Sequence, residues 1–310
     1  MKIAILGAGA MGSLFGGLLA ESGQDVTLLD INDAHLQAIR ATGLRLETDS
    51  GNRLVSGLSA CRPEQASIQP DLLLVFTKSL STAAALAGTA GLIGPRTLLL
   101  TLQNGLGNVE AVSRFVAREQ VLIGMTTWPA DLVGPGHVHS HGLGVIRIMA
   151  ADQREREDVK QVAAILSAAG LCCTADQAVW KAIWEKVAFN AALNTLCAVT
   201  GCTVDQLGAA PEGMALASAI IGEVVAVAQA EGIDADAAHC RETVAHAIAH
   251  HVGHEPSMLQ DVLAGRATEV GAINGAVVEK GRHHRVATPH TQTLLMLVRL
   301  MEAKAQATRV

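Results

Sequence analysis

The apolar positions of this chain fall into two regimes. Up to residue 176 they come in short unbroken runs: KIAIL (2–6), DVTLLD (25–30), DLLLVF (71–76) and RTLLLT (96–101), with GLCCTAD (170–176) as a last, weaker one. Unbroken runs of this length predict parallel strands covered on both faces, because a strand open to water on one face would alternate. Residues 13–23 between the first two runs read as helix. Residues 121–150 differ, being rich in Gly and Pro with short alternating pieces. They predict a strand, a loop and a β-hairpin-like extension of the sheet. Beyond residue 176 the period becomes helical, with segments at 178–200, 213–232, 235–251, 257–265, 268–284 and 288–304. Gly232 closes the second, Ser257 and Thr268 read as N-caps of the fourth and fifth, and Pro289 sits in the first turn of the last.

The first strand runs directly into GAGAMG, with Gly7, Gly9 and Gly12 ahead of the helix. Strand, glycine turn, helix and second strand follow one another within about 30 residues, which is the dinucleotide-binding fingerprint. The fold class is therefore α/β: an N-terminal Rossmann-type doubly wound sheet over 1–176, followed by an all-helical C-terminal domain over 177–310. Gly7, Gly9, Ala10, Met11 and Gly12 would cradle a pyrophosphate at the helix N-terminus. Asp30 ends the second strand about 20 residues further on, where a carboxylate accepts from the adenosine ribose hydroxyls and repels a 2′-phosphate. Its neighbours Ile31, Asn32 and Asp33 include no cation, and Arg40 belongs to the outer face of the next helix. The expected cofactor is NAD, with NADP as the alternative. Lys78 and Asn104 close two later strands and so face the ligand edge of the sheet.

The helix at 178–200 contains WEKVAFNAALN (184–194). Lys186, Asn190 and Asn194 stand at i, i+4 and i+8, a row of three polar groups spanning ~12 Å at ~1.5 Å per residue. The residues around them are Trp, Val, Ala, Phe and Leu. A single lysine in such a helix would reach past its neighbours to solvent. A lysine and two amides in register predict a polar lining to a cleft.

Composition removes other functions. Aromatic residues are 2% with no Tyr, and the net charge is −6 without a basic run; the stacking platforms and basic footprint of a nucleic-acid site are missing. No unbroken apolar run of about 18 residues is free of charge, so no membrane span is expected. The N-terminus is a strand entering a glycine turn rather than a signal peptide. Six cysteines without a C-x-x-C read as small apolar fillers in a reducing cytoplasm. His246, His250, His251 and His254, and the alternating HVHSH (137–141), bring no Cys or carboxylate at ligand spacing, so no metal is expected. An apolar helix over 216–228 offers a face for a homodimer.

GAGAMG, TKS around Lys78, LQNGLGN around Asn104, WEKVAFNAALN and SMLQDVLAGRATEVGAINGAVV together resemble the ketopantoate reductase (2-dehydropantoate 2-reductase) family, nearly end to end. The last stretch is the most specific, with Ser257 and Glu269 twelve residues apart and Asn274-Gly275 after them. The resemblance implies an NAD(P)-dependent oxidoreductase that reduces a 2-oxo acid to a 2-hydroxy acid, 2-dehydropantoate to pantoate in pantothenate biosynthesis being the leading case. It implies Lys186 as general acid, Glu269 beside it, Asn190, Asn194 and Ser257 holding the substrate, and Asn104 near the nicotinamide. The chemistry agrees: an ammonium can stabilise the oxyanion that forms as hydride arrives and then deliver its proton, a contribution of ~10²–10⁴-fold. The alternatives are an NAD-dependent D-2-hydroxyacid dehydrogenase of the D-mandelate type in the same family, or a β-hydroxyacid dehydrogenase, against which the Ser257-to-Glu269 segment speaks. Three departures from the family pattern stand out. Asp30 replaces the basic residue usual in NADPH-dependent members, Thr195 replaces the proline of NPLTA, and Val204 stands where an asparagine is common. The last two are expected toward the substrate side chain.

Overall fold

A computed structural model of the chain describes residues 1–307; the last three residues of the 177–310 span lie outside it. Two compact units emerge. The first holds Met1–Gln103 and Asn108–Val179. It runs β1 (Lys2–Leu6), α1 (Ala10–Glu21), β2 (Asp25–Leu29), α2 (Asp33–Thr42), β3 (Leu44–Thr48), β4 (Gly51–Val55), β5 (Ser59–Cys61), β6 (Leu72–Val75), α3 (Thr82–Thr89), β7 (Leu98–Thr101), α4 (Asn108–Val112), β8 (Val121–Thr126), β9 (Asp131–Gly134), β10 (His137–His139), β11 (Ile146–Ala150), α5 (Glu157–Ala168) and β12 (Cys173–Ala175). Eight strands form one sheet in the order β12-β11-β8-β7-β6-β1-β2-β5. Only the β8–β11 pair is antiparallel. The unbroken apolar runs are its buried centre: Ile3, Ile5, Leu72, Leu74 and Leu100 are all 0% exposed. Chain order runs outward from β1 through β2 to β5 on one side and from β6 to β8 on the other. The reversal between β1 and β6 is where open sheets of this kind bind ligands, at the carboxyl ends of the strands.

The 121–150 region departs from expectation. β8 and β11 extend the main sheet, but β9 and β10 leave it and join β3 and β4 in a separate four-stranded sheet, β4-β3-β10-β9. The β3–β4 hairpin is written in weakly patterned residues (LRLET and GNRLV), because much of it is open to solvent. What commits it is remote pairing and the fully buried Leu44 and Leu46. Gly17 on α1 makes room for this sheet, since a Cβ there would lie 2.7 Å from Leu46 Cδ1.

The second unit joins Asn104–Gly107 to the chain from Trp180 onward. Its helices are α6 (Val179–Phe189), α7 (Thr195–Thr200), α8 (Val204–Ala209), α9 (Pro211–Ala230), α10 (Ala237–His250), α11 (Ser257–Leu263), α12 (Ala276–His284) and α13 (Pro289–Ala307). Two five-residue π turns interrupt the α geometry: Asn190–Asn194 joins α6 to α7, and Gly271–Gly275 leads into α12. Of the described helices, α9 is long and apolar enough to cross a membrane by length and composition. It serves as a core helix, burying Ile220, Ile221, Val224, Val227 and Ala228. Its Glu223 satisfies the orphan amides at the start of α13, accepting from His290 N (2.9 Å), Thr291 N (2.9 Å) and Thr291 Oγ1 (2.7 Å). Glu231, just past its end, takes Lys280 Nζ at 2.7 Å and His284 Nε2 at 2.6 Å, tying α12 to α9. Cys173 in the first unit and Cys197 and Cys240 in the second are buried, and burial pushes their thiols up to about 12, so they act as inert filling.

Candidate functional site

In the first unit the glycines after β1 have separate tasks. Gly7 has φ +97°, and a Cβ on it would lie 2.7 Å from Thr77 N, because the chain leaving β6 crosses there. A Cβ on Gly12 would lie 1.9 Å from the Gly7 carbonyl oxygen, so α1 can seat itself on the turn only through glycine. Gly9 instead faces open space, with nothing within 4 Å of an added Cβ. The amides that open α1, from Ala10 to Gly12, have no acidic side chain in their turn to oppose an anion. Open backbone and unopposed amides at a helix N-terminus are the features that suit an anion.

Buried side chains brace the turn from behind. Gly136 N donates to His35 Nδ1 (3.0 Å), which leaves Nε2 as the donor to Ser13 Oγ (3.0 Å), and Ser13 Oγ donates to the Ala8 carbonyl (2.8 Å). Burial holds the imidazole below its usual pKa against the pull of Asp30, in keeping with that neutral tautomer. Asp30 Oδ2 accepts from Ala8 N at 2.6 Å, and Oδ1 accepts from Ile31 N at 2.7 Å and Asn32 N at 2.9 Å. Three amides thus occupy a group with about four lone-pair directions, leaving one open. The N-cap of α2 is Asn32, which accepts from His35 N. Beside Thr77, Lys78 follows β6. Its loop is held by Gln103, whose Nε2 donates to the Thr77 carbonyl and, at 2.7 Å, to Thr82 Oγ1.

In the second unit a polar cluster forms around the two π turns. Lys186 is half-buried near the end of α6, and removal from water pushes its ammonium down to about 8, the Glu269 carboxylate acting against a further fall. Asn104 Nδ2 donates to Glu269 Oε2 at 3.1 Å. Asn190 and Asn194 are buried within the first π turn, with Asn194 Nδ2 donating to Asn190 Oδ1 at 3.3 Å. In the second π turn Gly275 N reaches back five residues to the Val270 carbonyl at 2.9 Å. Backbone carbonyls at both turns take outside donors. That of Ala272 accepts from Leu106 N (2.8 Å), and that of Ala191 accepts from Asn274 Nδ2 (3.4 Å). Asn274 is fully buried, and its Oδ1 accepts from Thr195 Oγ1 at 2.8 Å. Gly105 completes the arrangement with φ +85°; a Cβ on it would lie 2.4 Å from the Ala272 carbonyl oxygen. The result is a lysine, a carboxylate and two amides held by a common backbone scaffold.

The family described as "Ketopantoate reductase PanE/ApbA" matches residues 3–153, and its C-terminal counterpart matches residues 178–302. The chain belongs to the ketopantoate reductase family. A 2-dehydropantoate 2-reductase of Streptococcus pyogenes is 35% identical over 304 residues, 98% of each chain. The structure of a D-mandelate dehydrogenase with NADH and anilino(oxo)acetate is similar with a TM-score of 0.94 and 33% identity, covering 99% of this chain and 100% of that one. A PanE/ApbA family ketopantoate reductase from Ralstonia eutropha reaches a TM-score of 0.89 at 33% identity, covering 99% and 100%. This ketopantoate reductase relative is therefore a nicotinamide-dependent oxidoreductase acting on a CH–OH group.

Against the sequence expectations, Lys186, Glu269, Asn104, Asn190 and Asn194 come together in this ketopantoate reductase fold within the second unit. Ser257 is exposed and opens α11 one residue after its N-cap position, which Pro256 occupies, so it is not itself the cap. Thr268 has a cap-like role, accepting from Val270 N while donating to Glu302. Thr195 and Val204, expected toward the substrate side chain, are both buried, and the Thr195 hydroxyl is turned onto Asn274. Asn274 was legible only as part of a family motif, because its partners lie 79 and 83 positions away. The His35–Ser13 brace carried no sequence signal. No sequence neighbour of Asp30 carries a positive charge, but the fold brings Arg62 to the next peptide, its Nη2 donating to the Ile31 carbonyl at 3.2 Å.

Thr195→Val, which keeps the shape but removes the donor to a buried carbonyl oxygen, should destabilise the fold by about 1–3 kcal/mol, the cost of an unmet buried acceptor. Thr195→Ser should cost distinctly less. Thermal unfolding of the three proteins measures this, and a valine variant as stable as the parent would deny the bond any role.

Proposed function

We propose that the chain reduces a 2-oxo acid to a 2-hydroxy acid with NADH as hydride donor, 2-dehydropantoate being the leading substrate. One observation carries the reading: a half-buried lysine near neutrality, coupled to a carboxylate and in register with two buried amides. As the substrate carbonyl carbon gains hydride, negative charge collects on its oxygen. The Lys186 ammonium stabilises that charge and transfers one proton from Nζ to the oxygen, ending as a neutral amine and leaving an alcohol. A pKa of about 8 keeps Lys186 charged at neutral pH while making the proton easy to give up. Glu269 keeps the lysine loaded, and Asn104, which the family resemblance places by the nicotinamide, orients Glu269. The Asn190 and Asn194 amides and the Ser257 hydroxyl bind the substrate's carboxylate and hydroxyl without adding charge.

The cofactor supplies the hydride. The open face over Gly9 and the amides of Ala10, Met11 and Gly12 fit its pyrophosphate, with Gly7 shaping the turn. Lys78, beside that turn, would meet its phosphates or ribose. Asp30 has one lone-pair direction left for a ribose hydroxyl and places a negative charge where a 2′-phosphate would arrive. The D-mandelate dehydrogenase bound to NADH supports NAD over NADP, and the streptococcal relative supports 2-dehydropantoate. The similarity of fold to the former favours a second reading, an NAD-dependent D-2-hydroxyacid dehydrogenase of the D-mandelate type. Comparing kcat/KM for 2-dehydropantoate and phenylglyoxylate separates the two. The buried, unpaired thiols suit a reducing compartment, and we assign the protein to the cytoplasm.

Lys186→Ala should bind NADH normally yet lose about 10²-fold or more in kcat, the contribution of a positioned acid; near-parental kcat would reduce Lys186 to a structural residue. Reduction requires the protonated amine, so its rate should fall as pH rises through about 8, while oxidation of the product rises over the same range. Glu269 raises the lysine's pKa, so Glu269→Gln should move that alkaline limb to lower pH. A limb that stays in place would uncouple the two residues. Steady-state kcat/KM with NADH should exceed that with NADPH by about tenfold, the worth of one charge-assisted contact, and Asp30→Ala should narrow the gap. A parent enzyme that favours NADPH would defeat the NAD assignment and leave the reductase assignment intact.

A further inference from the structure

We infer that Asp33 is a cofactor-specificity residue: it holds Arg62 in an ion pair and so keeps that guanidinium from a 2′-phosphate. The inference rests on the proposed preference for NAD and locates a second source of it. β2 and β5 are parallel neighbours with Leu29 opposite Cys61, so Asp30-Ile31 and Arg62 emerge side by side at the carboxyl edge of the sheet. Asp30 N donates to the Cys61 carbonyl at 3.3 Å, which keeps the two exits in register. Arg62 Nη2 donates to the Ile31 carbonyl, one peptide unit from the carboxylate that ends β2. In a sheet of this kind the adenosine ribose lies at that carboxylate. A 2′-phosphate would therefore arrive within reach of Arg62.

The guanidinium is already engaged. Its Nε donates to Asp33 Oδ1 at 2.7 Å and its Nη2 to Asp33 Oδ2 at 2.6 Å, the two-pronged geometry that also suits a phosphate. Arg62's hydrogen bonds hold the Asp33 carboxyl below its usual pKa, so it stays charged at any working pH. A 2′-phosphate would have to displace Asp33 and would meet its charge as well as that of Asp30. The pair is built at the surface, with Arg62 33% and Asp33 55% exposed, so the guanidinium can turn once released. Arg40 does not substitute for it, because its Nη1 is placed on the Ala60 carbonyl at 3.3 Å.

The test is a set of binding titrations of 2′,5′-ADP, 5′-ADP, NADPH and NADH with the parent, Asp33→Ala, Arg62→Ala and the double variant. Asp33→Ser serves as a second release variant, and thermal unfolding checks that each protein folds. Asp33→Ala should tighten 2′,5′-ADP and NADPH about tenfold, one freed charge-assisted contact, and leave 5′-ADP and NADH unchanged. The gain should vanish in Asp33→Ala/Arg62→Ala, and Arg62→Ala alone should not weaken NADPH. No tightening in either release variant, a gain that survives loss of Arg62, or weaker NADPH binding in Arg62→Ala would each overturn the inference. The parent's own NADPH-to-NADH affinity ratio tests the NAD preference separately. A parent that prefers NADPH defeats that preference, while the role of Asp33 is still decided by whether its removal gives an Arg62-dependent gain.

Discussion

Two carbonyls at widened helical turns organise the helical half of this protein. A π turn inserts a residue into a helix and disturbs the regular ladder, so backbone oxygens there need donors from elsewhere. Ala191 finds one in the side chain of Asn274, and Ala272 finds one in the amide of Leu106. Because Asn274 itself lies in the second π turn, each irregular segment supports the other. The Thr195 hydroxyl closes the circuit on the Asn274 carbonyl oxygen. Ala191, Asn274 and Thr195 are fully buried, and in such a setting an unmet partner costs more than the bond itself returns. The reward for the irregularity is placement: Asn190 and Asn194 are set in one turn, and Glu269 stands just ahead of the other.

The same segment at 104–107 explains how a residue from the first half of the chain comes to act with the helical half. Gly105 adopts a backbone conformation that other residues resist and passes too close to Ala272 for any side chain. That approach carries Asn104 to Glu269, and Glu269 in turn biases the charge of Lys186. A lysine withdrawn from water is a poor place to keep a proton unless a carboxylate favours it. The balance of those two influences leaves the Lys186 ammonium with a pKa of about 8.

The Rossmann-type half rests on a different economy of polar groups. Asp30 serves the fold before it serves a ligand, since three backbone amides converge on it. His35 and Ser13 hold the glycine turn from its buried side through a fixed order of donors and acceptors. At the outer edge Asp33 and Arg62 form an ion pair, at the place proposed to meet a cofactor's extra phosphate. The proposed selectivity there would rest on the arrangement of these charges with Asp30, just beyond the ends of β2 and β5, rather than on the one carboxylate that the strand end displays.

The sequence by itself determined the buried parallel strands, the glycine turn, the change to helices and the polar row on α6, because each is written in neighbouring residues. Unbroken apolar runs of strand length bounded by turn residues fit covered strands, and the spacing of Lys186 and Asn190 survives in any helix. Tertiary structure alone decided the second small sheet, the two π turns, the inward direction of Thr195 and the nearness of Arg62 to Ile31. Those depend on partners from 31 to 166 positions apart in the chain. No local period records such pairings; they are set by which buried donors and acceptors must find one another once water has been removed.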